Sequence, residues 1–377
     1  MLDNRSIFRL VVSYTLDWIV VITLAAGGGV LNYISGYHRP FSLTDTSLAY
    51  PEKNNIVSLT VVGIVAFAVP AVAIAVLCLA LPARPLPGAA SRPAAWRRKL
   101  WDMNAGLLGL AFSLALTLFV TSGLKDIIGK PRPDLLARCD PDVSNIDNWI
   151  VGGFGTSLDF EASALVVSGI CQQPNQRLLD DGFAAFPSGH SSFSWAGLLY
   201  FTLWLCLKFS ITIPHLGNTR PVTKKMSGGA AEGHRALETQ AAPPLWLVLI
   251  ALFPCGVALF ICSSRYADFH HAGFDIIAGS AIGIVFAWGC FRAYHSPVRQ
   301  GVGASWGPRQ HDQAFFARTA SENSQSNILP SLTPWRVAQD EEAGQSQLSP
   351  QRIDTGHSAE EMTTPVGHRY PGRQDLV

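Results

Sequence analysis

The chain has 377 residues, of which 48% are hydrophobic and only 15% charged. Soluble domains carry about 25% charged residues, so this composition points to a membrane rather than to water. A net charge of +1 argues against nucleic acid as a partner, and seven cysteines without CxxC or Cys/His spacing argue against a structural zinc site.

Six windows approach the ~20 apolar residues that a bilayer core demands. In chain order they are Asp17–Ile34, Ile56–Leu81, Met103–Leu124, His190–Phe209, Leu245–Cys262 and Asp275–Tyr294. The first carries Asp17 at its edge and the small run Ala25–Gly29, a composition common where membrane helices approach closely. Most windows lack the polar face that a buried helix of a soluble protein would show. The expectation is an all-α, polytopic membrane protein, a bundle of six transmembrane helices spanning 17–295. Residues 1–16 form a short N-terminal segment, without the cleavable pattern of a secretory signal. From Ser296 the chain turns rich in Gln, Ser, Pro, Gly and Glu, and 296–377 is expected to be a disordered tail. Thr223–Pro244 has the character of a flexible loop.

Basic residues in the connections set the orientation. Arg84, Arg92, Arg97, Arg98 and Lys99 lie between the second and third windows, and Arg220, Lys224, Lys225 and Arg235 between the fourth and fifth. That side, with both termini, is expected to be cytosolic. The third-to-fourth connection faces the other way, yet it carries Lys125, Lys130, Arg132 and Arg138. Topology does not account for those cations.

Three polar clusters fall at the non-cytosolic ends of the windows. They are "KDIIGKPRP" (Lys125 to Pro133), "FPSGHSS" (Phe186 to Ser192) and "SRYADFHHAGFD" (Ser264 to Asp275). Lys125, Arg132 and Arg265 supply cations, two of them guanidinium forks matched to phosphate oxygens. Ser188 and Gly189 open a helix, where free N–H groups favour an anion. Two histidines and an aspartate add acid–base and nucleophilic groups. Taken singly, each group has a plainer reading: the cations as interfacial anchors, Ser188 or Asp275 as a helix cap, a histidine as a structural hydrogen-bonder. Their convergence on one membrane face favours a phosphate site, with charge balanced by side chains rather than by a metal or other cofactor.

The clusters resemble the three-part signature of the type 2 phosphatidic acid phosphatase superfamily, the lipid phosphate phosphatases. Lys125 to Pro133 matches its first motif, Pro187–His190 its PSGH motif, and Ser264, Arg265, His271 and Asp275 its third. The flanks "GKPRPDLLARC" and "GFAAFPSGHSSFSWAGL" are most similar to the fungal lipid phosphate and diacylglycerol pyrophosphate phosphatases. The resemblance extends from the first window to the sixth and leaves out the tail. It implies His271, not His270, as a nucleophile forming a phosphohistidine. Asp275 would hold the other nitrogen of His271, and His190 would serve as acid and then base. Lys125, Arg132, Ser188, Gly189 and Arg265 would hold the phosphate of a membrane lipid: phosphatidate, lysophosphatidate or diacylglycerol pyrophosphate. Lys130, Asp268 and His270 receive no role. A lipid phosphotransferase, a polyprenyl or sugar phosphatase of the same superfamily, and a non-catalytic lipid-binding relative are the alternatives. Vanadate haloperoxidases share such a site but are soluble.

Cys139 and Cys171 both lie in the third-to-fourth connection, on the side expected to be oxidising, so a disulfide between them is expected, with two free thiols as the alternative.

Overall fold

Inside hydrocarbon every backbone N–H and C=O must find its partner within the segment, and long apolar runs therefore coil into helices. The computed structural model describes residues 4–81, 92–153, 164–211, 243–296, 298 and 305. Its long helices are α1 (Asn4–Leu31), α2 (Leu59–Ala80), α3 (Arg92–Ile128), α6 (Gly189–Lys208), α7 (Leu245–Ala267) and α8 (Gly273–Tyr294). Two short helices, α4 (Leu135–Cys139) and α5 (Gln176–Gly182), lie between α3 and α6.

Among the described residues, five helices are long and apolar enough to cross a membrane, and α6 is not one of them. The reason lies in its position. α6 packs against α2, α3, α7 and α8, so most of its side chains meet protein rather than lipid. Its polar groups bond across the bundle. Thr121 donates to Ser192 Oγ at 3.0 Å, Tyr200 OH to the Gly106 carbonyl at 3.0 Å, and Ser113 on α3 to the Ala196 carbonyl at 3.0 Å. A central helix needs no greasy exterior. The outer helices do, and Val61, Phe67, Val72 and Val76 on α2 and Trp246, Leu249, Phe253 and Phe260 on α7 are exposed.

α1 begins well before the expected Asp17. Ring packing of Tyr14 on Trp101, at 5.3 Å, and a 3.3 Å bond from Trp18 Nε1 to Asn104 Oδ1 dock its first half on α3. α3 likewise starts earlier than Met103, because its charged first turns continue the helix beyond the apolar stretch. Within α2, a wide turn at Ile64–Ala68 precedes Pro70. Proline cannot donate to the Ala66 carbonyl, and that carbonyl lies against Gly197 of α6, where a Cβ would collide with it.

The connection between α3 and α6 is more than a loop. With residues from the α1–α2 connection it forms a small cap containing strands β1 (Phe41–Ser42), β2 (Ile150–Gly152) and β3 (Leu165–Val166), all antiparallel in the order β1-β3-β2. Phe41, Leu48, Leu135, Val166, Ile170, Leu179 and Phe183 form its core. Cys139 and Cys171 are joined by a disulfide with an S–S distance of 1.98 Å. The Thr223–Pro244 loop and the tail from Ser296 fall outside the described residues, apart from 243, 244, 296, 298 and 305.

Close backbone approach sets α8 against the start of α6. A Cβ at Gly279 would come within 2.5 Å of the Ser188 carbonyl oxygen. Gly279→Val is therefore expected to lower stability by about 1–3 kcal/mol through overpacking, read as a lower unfolding temperature in detergent, and to lower activity in parallel. A variant as stable and active as the parent would contradict this contact.

Candidate active site

The site is assembled from helix ends, and each local sequence explains its contribution. Lys125 lies in the last turn of α3. Gly129 then takes a positive φ of 56°, and a Cβ there would strike the Tyr37 carbonyl, so the chain turns sharply into Lys130-Pro-Arg132. Ser188 is the N-cap residue of α6 by position, but its side chain accepts no helix N–H. Instead the Ser188 N–H donates to the Asp275 carbonyl at 3.0 Å, and Ser191 Oγ donates to Ser188 Oγ at 3.1 Å. The first-turn amides of α6 are thus not taken up by the serine, which keeps them available for an anion. A Cβ at Gly189 would sit 3.4 Å from Lys125 Nζ, which places the ammonium over this helix start.

One cavity of about 590 Å³ brings the clusters together. Lys125, Arg132, Gly189, His190 and His271 line it, along with Thr121, Ser122, Ser192 and Asp181. The same cavity continues between α1 and α2, past Gly29, Leu59, Gly63, Leu118 and Phe193. Leu59, at its edge, is 70% exposed. A cationic end and an apolar slot share one space.

The two histidines are held in definite orientations. His271 Nδ1 lies 2.7 Å from the Ala185 carbonyl, which can only accept, so this nitrogen carries the proton and Nε2 keeps its lone pair. Burial, together with Arg132 and Lys125, holds the His271 imidazole well below its usual 6.5, against the opposing pull of the Ala185 bond. The balance favours the neutral imidazole. His190 forms a backbone hydrogen bond with Val57, and its Nε2 is buried with no partner among the described residues.

Asp275 departs from expectation. It does not bond His271: Oδ1 pairs with Lys130 Nζ at 2.7 Å and Oδ2 accepts the Ala272 N–H at 3.0 Å. As the third residue of α8 its carboxylate turns back over the first turn, and Lys130 neutralises it there; the Ala185 carbonyl orients His271 instead. Arg265 also stands apart from the cavity lining. Its guanidinium is occupied by Asp268 and by Asn55 Oδ1 at 2.7 Å, and the Ile56 N–H donates to Asp268 Oδ2 at 3.1 Å, stitching the α1–α2 connection to the end of α7. Phe269 adopts φ 61°, braced by Tyr50 at 4.7 Å and by Lys53 over its ring. That turn separates the histidines: His270 Nδ1 lies 3.0 Å from the Asp268 carbonyl, and His270 does not line the cavity.

Asp181 was not anticipated. It bridges Arg132 at 2.6 Å and Arg138 at 3.0 Å, while Arg138 also pairs with Asp134 at 2.7 Å. The Asp134/Arg138 pair was readable from its i,i+4 spacing on a short helix; Asp181 carried no comparable signal.

The neutral state of His271 has a consequence for pH. Its folded value is depressed relative to the unfolded chain, so its contribution is complete above pH 6.5 and is lost progressively as pH falls below it. The unfolding temperature of the free protein is expected to drop between pH 7 and 5, and added vanadate should reduce that drop by neutralising the added charge. A flat profile over this range would contradict the assignment.

The chain is similar to several known proteins. Lipid phosphate phosphatase 2 of Arabidopsis thaliana is 27% identical over 299 residues, covering 79% of this chain and 82% of the relative. Diacylglycerol pyrophosphate phosphatase 1 of Saccharomyces cerevisiae is 28% identical over 274 residues, covering 71% and 76%. A PA-phosphatase related-family protein of Dictyostelium discoideum is 30% identical over 290 residues, covering 76% and 71%. No solved structure matches significantly. The pattern of the PAP2 superfamily matches residues 106–299, a stretch that holds all three polar clusters and the cavity's cationic end, and the chain belongs to that superfamily.

Proposed function

We propose that the protein is a lipid phosphate phosphatase that works without a metal ion, through a phosphohistidine on His271, at the non-cytosolic face of a membrane. The observation that carries this reading is the single cavity in which Lys125, Arg132, Gly189, His190 and His271 meet, continuous with an apolar slot opening between α1 and α2. A phosphate fits the first part and acyl chains fit the second. The names borne by the relatives from Arabidopsis and Saccharomyces support the same substrate class.

In this mechanism Lys125, Arg132 and the first amides of α6 receive the phosphate oxygens as charge redistributes. His271 Nε2 attacks phosphorus, and the bond to the leaving oxygen breaks. His190, protonated in the presence of the anion, gives its Nε2 proton to that oxygen. Water then enters, His190 takes its proton, and attack on the phosphohistidine releases inorganic phosphate and restores both imidazoles. Asp275 acts through Lys130 and the α8 turn, and Arg265 acts through Asp268 and Asn55, which tie the α1–α2 connection to the end of α7. The face is supported by the disulfide in the α3–α6 connection that also carries Arg132, and by the basic connections at the opposite helix ends.

Phosphate release from a panel of phosphatidate, lysophosphatidate and diacylglycerol pyrophosphate, in detergent with EDTA, tests substrate and metal independence together. Release that persists in EDTA is expected. Activity lost in EDTA and restored by Mg²⁺ would overturn the metal-free reading.

A further inference from the structure

Arg132 is paired before any substrate arrives. Asp181, near the end of α5, gives one carboxylate oxygen to Arg132 Nη2 at 2.6 Å and the other to Arg138 Nη1 at 3.0 Å. The two partners are held unequally. Arg138 keeps Asp134 on its other edge, with bonds of 2.9 and 2.7 Å, whereas Arg132 has no second carboxylate among the described residues. Arg132 Nε is buried and unpartnered, so one edge of the fork holds Asp181 and another is open. The arginine side chains are only 7% and 3% exposed, but that of Asp181 is 47% exposed. It also lines a second, polar cavity of about 230 Å³ beside the first, with His38, Lys125, Asp126, Arg177 and Asp180. The carboxylate therefore has room to swing away from Arg132 while Arg138 stays neutralised by Asp134.

A buried guanidinium without an anion is costly, and Asp181 removes that cost in the empty site. Yet a phosphate held by Lys125, Arg132 and helix amides without competition would leave slowly, and binding that is equally strong for product and transition state does nothing for turnover. We propose that Asp181 is an internal competitor for Arg132, a positioning residue that yields its edge of the guanidinium to the incoming tetrahedral oxyanion and reclaims it as inorganic phosphate departs. It thereby sets the weakness of product retention. This rests on the reading of Arg132 as a phosphate ligand.

The test is inhibition of phosphatidate hydrolysis in mixed micelles by inorganic phosphate. Asp181→Asn removes the competing charge and keeps the shape, and is expected to lower the phosphate Ki by about tenfold, the scale of one partly screened charge contact. The KM for the lipid-borne phosphate should fall in the same direction, with kcat changing less than Ki. Asp181→Glu, which retains the charge, should restore Ki toward the parent value; Asp181→Ser serves if the Asn variant does not fold. A Ki that is unchanged or raised in a folded neutral variant overturns the proposal, as does a fall in lipid KM alone. Arg132→Gln is assayed in parallel. If its Ki for phosphate equals the parent's, the reading of Arg132 itself fails; if its Ki rises while Asp181→Asn shows no fall, only the competition is wrong.

Discussion

His271→Ala is expected to lower turnover of a lipid phosphate by about 10⁴-fold or more, while His270→Ala retains most of it. The two residues are adjacent, buried and chemically alike, so composition alone does not distinguish them. Geometry does. His271 lines the cavity with Nδ1 committed to the Ala185 carbonyl, which leaves Nε2 free for the proposed attack on phosphorus. His270 is turned aside by the left-handed backbone at Phe269 and points its Nδ1 at the Asp268 carbonyl. Steady-state phosphate release by both variants, each checked for folding by thermal unfolding, decides between them. Reversed losses would assign the chemistry to the wrong imidazole.

Lys130→Met should be nearly as damaging, for a different reason. Asp275 is fully buried, and the ammonium at 2.7 Å is its charge partner there. Removing one member of a buried pair while leaving the other charged costs about 3–5 kcal/mol. Lys130→Arg keeps the charge and should retain most stability. The double variant Lys130→Met/Asp275→Asn leaves no stranded charge and should recover much of the stability lost by Lys130→Met alone. A double-mutant cycle on unfolding temperature measures the coupling. If the two single losses simply add, the pair does not act as a unit. Recovery of stability without recovery of turnover would further separate Asp275's part in the chemistry from its part in the fold.

How much of this was legible in the sequence varied with the kind of interaction. Apolar length located α2 and α8 within a few residues, because those helices end where the greasy run ends. It cut α3 short at Met103, since the helix continues through Arg97, Arg98, Lys99 and Asp102, which hydropathy counts against a span although nothing stops them from being helical. It found α6 from the PSGH start and the apolar second half, although that helix is enclosed by its neighbours and carries hydroxyls that bond across the bundle. The meeting of Lys125, Arg132, Gly189, His190 and His271 in one cavity was readable in outline from helix ends expected on one face, whereas Arg265 and Asp275 lie outside its lining. The pairings inside the cluster were not. Asp275 with Lys130, Arg265 with Asn55 and Asp181 with Arg132 join positions 145, 210 and 49 residues apart in the chain, and no local spacing announces them. The cap's strands are two or three residues long, too short for a period-2 pattern to stand out.

The most direct measurement of the central claim is the site of the covalent intermediate. Purified protein in detergent with EDTA is mixed briefly with a lipid phosphate, quenched under alkaline conditions that preserve phosphohistidine, digested and mapped by mass spectrometry. A phosphoryl group on His271, absent from His271→Ala, is the predicted result. A phosphoryl group on any other residue, or steady hydrolysis by a folded His271→Ala protein, would contradict it.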